Sequence, residues 1–395
     1  MPTVIYVFSL CTFTFGLSEF VVAGLVSAMA EDLGTSTTAV GSAIAAYALG
    51  AAIGAPLLTA LLLNWRDRTS LSLTLAVLAV GSLAFAWVEQ LWTVNLVRFV
   101  IGLAHGVFMA IAADVAVKLV NAPRAGRALS LVWLGLTLAL ALGVPLGTLL
   151  GSLWSWRAIF VALGLLGLLS LLGLVRLMPR QAAAPLPAGG RLAGFAALMQ
   201  RPLLAAAGIA MLVSVATFSF LTYVSPFVLQ VTQGGVRLLS LAMLMFGAAT
   251  MLGNVLGGVL ADRFEAGHCL KIALGLLAAN LALLYLGREH AWAVVLLVGV
   301  LGAVFFAIVT LSTLRLLGLA KQLAPHATGV ASGLSIAAFN LGTALGGGLG
   351  GWMIERVGLV YLPLAGAAAG LLALGWLMAQ PGKSRSGFQQ VEREA

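Results

Sequence analysis

Polar residues, glycines and prolines divide the chain into twelve apolar segments. Each has about 20 to 27 residues, enough for a helix to cross the hydrocarbon core of a bilayer. Helices are favoured because lipid offers no partners to the polar groups of the backbone. The pattern therefore predicts an all-α integral membrane protein with transmembrane helices at 4–29, 39–63, 70–88, 93–117, 128–152, 156–178, 203–228, 236–260, 268–287, 291–316, 326–351 and 358–379.

The longest connection separates the sixth segment from the seventh. Residues 179–202 are rich in proline and glycine, which is typical of a linker. We therefore predict two six-helix bundles, at 1–178 and 203–379, joined by a cytoplasmic linker at 179–202. A polar cytoplasmic tail is expected at 380–395.

Composition and charge support this prediction. The chain is 62% hydrophobic and 8% charged, whereas a soluble protein is roughly 25% charged. Most of its 21 lysines and arginines lie on one side, and the other side holds Arg157, Arg237, Arg288 and Arg356. Basic connections stay in the cytoplasm, so both termini are expected there. The net charge of +9 then reflects topology, and we expect no binding of nucleic acid.

Motifs for enzymatic chemistry are absent from the sequence. It has no phosphate-binding glycine loop, no cluster of metal ligands and no nucleophile constellation. Its two cysteines, Cys11 and Cys269, lie in opposite halves and indicate neither a disulfide nor a metal site. We therefore expect a protein that is not an enzyme and does not use ATP directly.

Three ionisable residues lie deep within the apolar segments. Glu19 is near the middle of the first segment, where a charge costs about 3 kcal/mol on insertion scales. Arg98 and His105 lie in the fourth, on the same helical face at 100° per residue. Chains keep such groups where they pair with another charge, line a water-filled cavity or carry protons.

These positions lead to a hypothesis of proton coupling. Glu19 would be the protonation site and Arg98 would set its pKa, because burial disfavours a charged carboxylate and a nearby cation favours it. Two alternatives remain: Glu19 binds substrate directly, or Glu19 and Arg98 form a fixed structural pair. If their side chains do not meet, water or His105 must lie between them.

Glycine patterns in the fourth and fifth segments predict close helix packing. Gly102 and Gly106 are one turn apart in the fourth segment. Gly143 and Gly147 let two backbones approach, and Pro145 kinks the helix between them. We expect the fifth-segment face to form a rocking or sealing seam between the two halves.

Charged residues near the cytoplasmic ends complete the gating and structural candidates. Gly258, Asp262 and Arg263 form a motif that runs into the loop after the eighth segment. Asp114 lies four residues before Lys118, the spacing of an ion pair on a helix surface or of a gate contact.

The order of these motifs resembles the major facilitator superfamily, and within it the twelve-span drug:proton antiporters. The bacterial sugar-efflux branch, which also includes chloramphenicol and purine-nucleoside exporters, is the most similar. Further stretches that carry the resemblance are Ser18-Glu19-Phe20 in the first segment, Thr222-Tyr223 in the seventh and Phe339-Asn340 in the eleventh. The stretch 64–68 departs from the family's loop motif because it lacks the expected glycine.

The resemblance implies the major facilitator fold, with two pseudo-symmetric bundles and a solute site between them near the midplane. It implies an antiporter of the bacterial inner membrane that exports a drug, sugar or nucleoside-like solute in exchange for protons. Candidate substrate contacts are Glu19, Tyr47, His105, Thr222, Tyr223 and Asn340.

We expect no cofactor, because the proton gradient is the energy source, and we expect a monomer in the lipid bilayer. One alternative is a proton-coupled importer or facilitator of the same fold. The other is a membrane sensor that transports nothing.

Overall fold

The structure, a computed structural model, describes residues 1–121, 124–179, 199–323 and 328–380. Regular structure within these ranges is entirely helical, as predicted. Most of the predicted linker and nearly all of the tail lie outside the described residues.

Long helices follow one another through the described ranges. They are α1 (Thr3–Asp32), α2 (Thr37–Leu61), α3 (Asp67–Phe85), α4 (Leu91–Lys118), α5 (Gly126–Leu153), α6 (Trp156–Leu177), α7 (Arg201–Leu221), α8 (Val236–Arg263), α9 (Ala266–Leu286), α10 (Ala291–Leu323), α11 (Thr328–Arg356) and α12 (Leu359–Ala379). Eleven are long and apolar enough to cross a membrane. The other, α11, has 29 residues, and its first side chains lie outside the described part of the chain.

Three π-helical turns interrupt the spans in the described ranges, and each contains a proline or has one within two residues. Proline lacks a backbone donor and its ring crowds the preceding turn, so the helix must adjust locally. The π turns are Gly54–Leu58 in α2, Ala139–Gly143 in α5 and Phe227–Val231 after α7. The predicted distortion at Pro145 thus takes the form of a π turn just before it.

Of the helix boundaries that differ from the prediction, two bear on the candidate residues. The seventh segment is not one continuous helix, because α7 ends at Leu221 and Thr222 and Tyr223 form a turn before a short helix, Val224–Pro226. The eighth helix extends to Arg263, so Asp262 and Arg263 lie in its last turn instead of in a loop.

Helix pairing repeats after six helices. In the first half α1 packs on α5 and α6, α2 on α4, and α3 on α6; in the second half α7 packs on α11 and α12, α8 on α10, and α9 on α12. Across the molecule α2 packs against α11 and α5 against α8. Two paired six-helix bundles would have this arrangement, although their exact boundaries stay a prediction.

The glycines of α4 allow it to touch α2. A Cβ on Gly102 would overlap the carbonyl oxygen of Tyr47, and one on Gly106 would overlap that of Ala51. This close approach fixes Tyr47 against α4, where the ionisable residues lie.

The glycine face of α5 is not at the predicted seam between the halves. Gly143 and Gly147 face α1 of the same half, and a Cβ on Gly147 would lie 2.7 Å from Val21. The prediction was wrong because a run of glycines identifies a close-packed face but not the helix that packs there. Contact with α8 of the other half includes the carbonyl of Pro145, which accepts a hydrogen bond from Ser240 at 2.8 Å.

Candidate functional site

The middles of α1 and α4 bring two of the predicted residues together. His105 Nδ1 lies 3.8 Å from Glu19 Oε2, and the two side chains are 6% and 18% exposed. The imidazole also stacks on the ring of Phe15, with 5.2 Å between ring centres and 15° between the planes. A carboxylate and an imidazole therefore lie side by side at mid-helix depth.

Arg98 is fully buried and bonds to backbone oxygens instead of to the Glu19 carboxylate. Its Nη1 donates to the Ser18 carbonyl at 2.7 Å, and its Nη2 to the Glu19 carbonyl at 3.4 Å. Its Nε donates to the carbonyl of Ala43 on α2 at 3.4 Å. No ion pair between the Arg98 and Glu19 side chains occurs in the described structure. Arg98 thus fixes α4 to α1 and α2, and His105 takes the position beside the carboxylate.

Tyr47 connects Arg98 to His105. The Arg98 guanidinium lies 4.1 Å from the centre of the Tyr47 ring, a cation–π contact. The Tyr47 hydroxyl lies 2.9 Å from His105 Nδ1 and 3.4 Å from the carbonyl oxygen of Phe15. Because a phenol has one proton, it donates to one of these acceptors at a time. Glu19, His105, Tyr47 and Arg98 therefore form one contiguous group, which we call the ionisable cluster.

The ionisable cluster can change its net charge by binding one proton. With Glu19 ionised and His105 neutral, the charges of Glu19 and Arg98 cancel. Protonation of Glu19 leaves the charge of Arg98 unbalanced, in a setting where unbalanced charge is costly. The cluster thus has the composition expected of a proton site.

Five phenylalanines extend from Glu19 into the second half of the molecule. Phe20 lies 6.2 Å from Phe218 of α7, measured between ring centres, and Phe218 lies 5.8 Å from Phe305 of α10. Phe305 in turn contacts Phe306 at 5.5 Å and Phe339 of α11 at 6.3 Å. We call this set the phenylalanine band.

The predicted substrate contacts in the second half lie in two places. Asn340 comes directly after Phe339, a member of the phenylalanine band. Its Nδ2 donates to the Ile336 carbonyl at 3.0 Å. Its buried Oδ1 has no partner in the described part of the chain. Thr222 and Tyr223 lie at the far end of α7. The Tyr223 hydroxyl donates to the Gly347 carbonyl at 3.0 Å, so Tyr223 joins the end of α7 to α11.

The predicted gating residues in the last turns of α4 and α8 are mostly exposed. Asp114 and Lys118 form an ion pair at 2.5 Å, with side chains 59% and 54% exposed. This arrangement agrees with the surface pair expected from their spacing. Asp262 and Arg263 are also exposed, and no atom of a neighbouring helix in the described part of the chain lies within 4 Å of a Cβ placed on Gly258.

Backbone contacts in the site had no signature in the sequence. Ser18 and Ala43 hold Arg98 through their carbonyl oxygens, which every residue type possesses. Phe15, the stacking partner of His105, lies one turn before Glu19, and that spacing was the one signal available.

The chain belongs to the Major Facilitator Superfamily, whose sequence model matches residues 8–334. It is therefore a multi-pass membrane transporter and not an enzyme, which confirms both predictions.

Two curated relatives match along nearly their full length. "Inner membrane transport protein YdhP" of Escherichia coli (strain K12) is 34% identical over 363 residues, with 92% of each chain covered. A "Probable sugar efflux transporter" of Helicobacter pylori (strain G27) is 32% identical over 382 residues, with 94% of each chain covered. The predicted resemblance to the sugar-efflux branch is thereby confirmed.

A solved structure supports the fold. It is a bacterial homolog of the human lysosomal transporter Spinster, crystallised in an inward-facing and occupied conformation. The TM-score is 0.68 over 95% of this chain and 96% of that chain, at 15% sequence identity.

Proposed function

We propose that this transporter exports a small drug, sugar or nucleoside-like solute in exchange for protons by alternating access. The observation that carries the proposal is the Glu19 carboxylate beside His105 in the interior of the bundle, with Arg98 fixed nearby. The name of the Helicobacter pylori relative supports export as the direction.

Proton and solute would compete through the ionisable cluster. Ionised Glu19 balances the charge of Arg98 and can accept a hydrogen bond from a hydroxyl or amide of the solute. A proton on Glu19 turns one of its two oxygens from an acceptor into a donor, which weakens its bond to the solute, and leaves net positive charge. The protonated site would therefore release a neutral solute and favour the other conformation. His105 and Tyr47 supply hydrogen-bonding groups through which the proton reaches Glu19.

The phenylalanine band would hold the apolar part of the solute. Solute sites are mostly apolar with a few polar groups that fix orientation. The band supplies the apolar wall, and the free Oδ1 of Asn340 supplies an acceptor beside Phe339. A neutral solute with an apolar body and hydroxyl or amide groups fits this combination.

The proposed setting is a monomer in the bacterial inner membrane, with both termini in the cytoplasm. The excess of lysine and arginine on one side supports this orientation, and the name of the Escherichia coli relative supports the membrane. The proton gradient is the energy source, without a cofactor.

The direction of solute transport is tested with everted membrane vesicles. Chloramphenicol, L-arabinose and inosine serve as probes because they represent the three solute classes. With an acidic vesicle interior, protons leave the vesicle down their gradient, and an exporter that exchanges solute for protons accumulates at least one probe inside. Gradient-driven loss of a probe from preloaded vesicles would support the importer instead.

Proton coupling is tested with purified protein in liposomes that contain a pH-sensitive dye. A transported probe should move protons in the opposite direction, and Glu19→Gln should abolish this movement. Glu265→Gln is the matched control, because it makes the same change at an exposed carboxylate that pairs with His268. Undiminished proton movement in Glu19→Gln would overturn the proposed site.

A further inference from the structure

The contact between α5 and α8 is closed along only part of its length. Ser240 of α8 bonds to the Pro145 carbonyl, and a Cβ on Gly247 would overlap the carbonyl of Leu140. These residues join the two helices over the part of α8 nearest its first residue. That part lies toward the outer side in the proposed topology.

The same face of α8 is uncovered farther along. Residues seven apart share a helix face, so Asn254 continues the face of Ser240 and Gly247. Asn254 is exposed, Met251 beside it is 40% exposed, and a Cβ on Gly258 would meet no atom within 4 Å among the described residues. No described helix therefore covers this face of α8 toward the end that is cytoplasmic in the proposed topology.

On this uncovered face, Asn254 is hydrogen-bonded to Thr310 of α10. The Thr310 hydroxyl donates to Asn254 Oδ1 at 2.6 Å. The Nδ2 of Asn254 has no partner in the described part of the chain, so two donors remain free. An amide facing hydrocarbon with free donors is costly, so this face borders water or a polar solute.

Other exposed residues of α8 have a different character. Leu252 and Val255 are 65% and 66% exposed, and they lie about 160° and about 100° around the helix from Asn254. Leucine and valine suit contact with lipid. The asparagine thus lies on the one face of α8 whose outer part is buried against α5.

We propose that Asn254 and Thr310 form a hydrogen-bonding site for the transported solute in a water-filled crevice between α5 and α8. The site takes neutral solutes that present hydroxyl or carbonyl oxygens to the Asn254 amide. The Thr310 hydroxyl also lies 3.0 Å from the carbonyl oxygen of Phe306, one turn earlier on α10. An apolar part of the solute can therefore reach the phenylalanine band. The proposal rests on solute transport by this chain but not on proton coupling.

Cysteine labelling tests whether the crevice contains water. In a background of Cys11→Ala and Cys269→Ala, Asn254→Cys is compared with Leu252→Cys in everted vesicles, using a membrane-impermeant maleimide. The thiolate is the reactive form and does not form in lipid, so Asn254→Cys should react faster on the order of tenfold or more. Equal rates at the two positions would overturn the proposal.

Protection tests whether solute occupies the site. Met251→Cys in the same background reports on the crevice while Asn254 stays intact. Chloramphenicol, L-arabinose or inosine, each at millimolar concentration without a proton gradient, should slow its labelling. Adding Asn254→Ala or Thr310→Val should remove the protection, and Glu265→Gln, at an exposed carboxylate that pairs with His268, should not. Labelling that none of the three probes slows, or protection that survives Asn254→Ala, would overturn the solute site; loss of coupling alone leaves this assay unaffected.

Discussion

The corresponding helices of the two halves carry different chemistry. In the first half, α1 and α4 place Glu19 and His105 side by side, with Arg98 buried nearby. In the second half, α7 and α10 place Phe218 against Phe305. The pairing of the helices repeats, but the residues at their centres do not.

The two halves therefore share one arrangement of helices but supply different chemical groups at its centre. Titratable groups are expensive inside a membrane, and the described spans of the second half contain no deep carboxylate. We infer that the first half handles the proton and the second half supplies most of the contact with the apolar part of the solute. The two meet where Phe20, the residue after Glu19, contacts Phe218.

The largest effect on stability and transport is expected from Arg98→Leu in the first half. It removes the donor that holds three carbonyl oxygens of α1 and α2, and bonds from a charged donor contribute about 1.5–3 kcal/mol each. We expect a large fall in melting temperature in detergent and loss of transport. Wild-type melting and transport would show that the Arg98 contacts do not organise the first half.

A smaller and more selective effect is expected from Tyr47→Phe. The ring stays beneath Arg98, but the hydroxyl bonded to His105 is lost. A neutral hydrogen bond contributes about 1 kcal/mol, so the pH profile of transport should move by somewhat less than about one unit. The measurement is transport rate against pH, with melting temperature as the control for folding. An unchanged profile would remove Tyr47 from the proton pathway.

Phe218→Leu tests the second half. It keeps an apolar side chain but removes the ring contacts with Phe20 and Phe305. In the proposed site the Phe218 ring also packs against the solute, and an aromatic contact contributes about 1 kcal/mol, so the KM for a transported probe should rise about fivefold. The number of protons moved per solute should stay constant. A change in that ratio would contradict the separation of tasks.

The smallest effect is expected at the pair of Asp114 and Lys118. Both side chains are more than half exposed, and such helix pairs contribute about 0.3–0.5 kcal/mol. Lys118→Ala should leave transport nearly unchanged in the same liposome assay. A severe loss of transport would assign the pair to a gate.

The sequence was sufficient for the helical class, most span limits and the grouping of Glu19 with His105. These features follow from apolar segment length, helical periodicity and the cost of charge in lipid. It could not identify the partners of Arg98, because the carbonyls of Ser18 and Ala43 are common to all residues.

The sequence also could not show which helix packs against the glycine face of α5. Gly143 and Gly147 predicted a close-packed face, but α1 and α8 were equally suitable neighbours. Only the three-dimensional arrangement assigns those glycines to α1 and Asn254 to the uncovered part of the α5–α8 contact.

The most direct test of the account separates proton coupling from solute movement in a single variant. Liposomes containing Glu19→Gln are assayed twice with the same transported probe, once driven by a pH gradient and once by exchange with unlabelled probe inside. Gln cannot bind and release the proton, but its amide oxygen still accepts a hydrogen bond from the solute. The account therefore predicts that gradient-driven transport is lost while exchange continues at a reduced rate. Gradient-driven transport at the wild-type rate would contradict the assignment of Glu19 as the proton site.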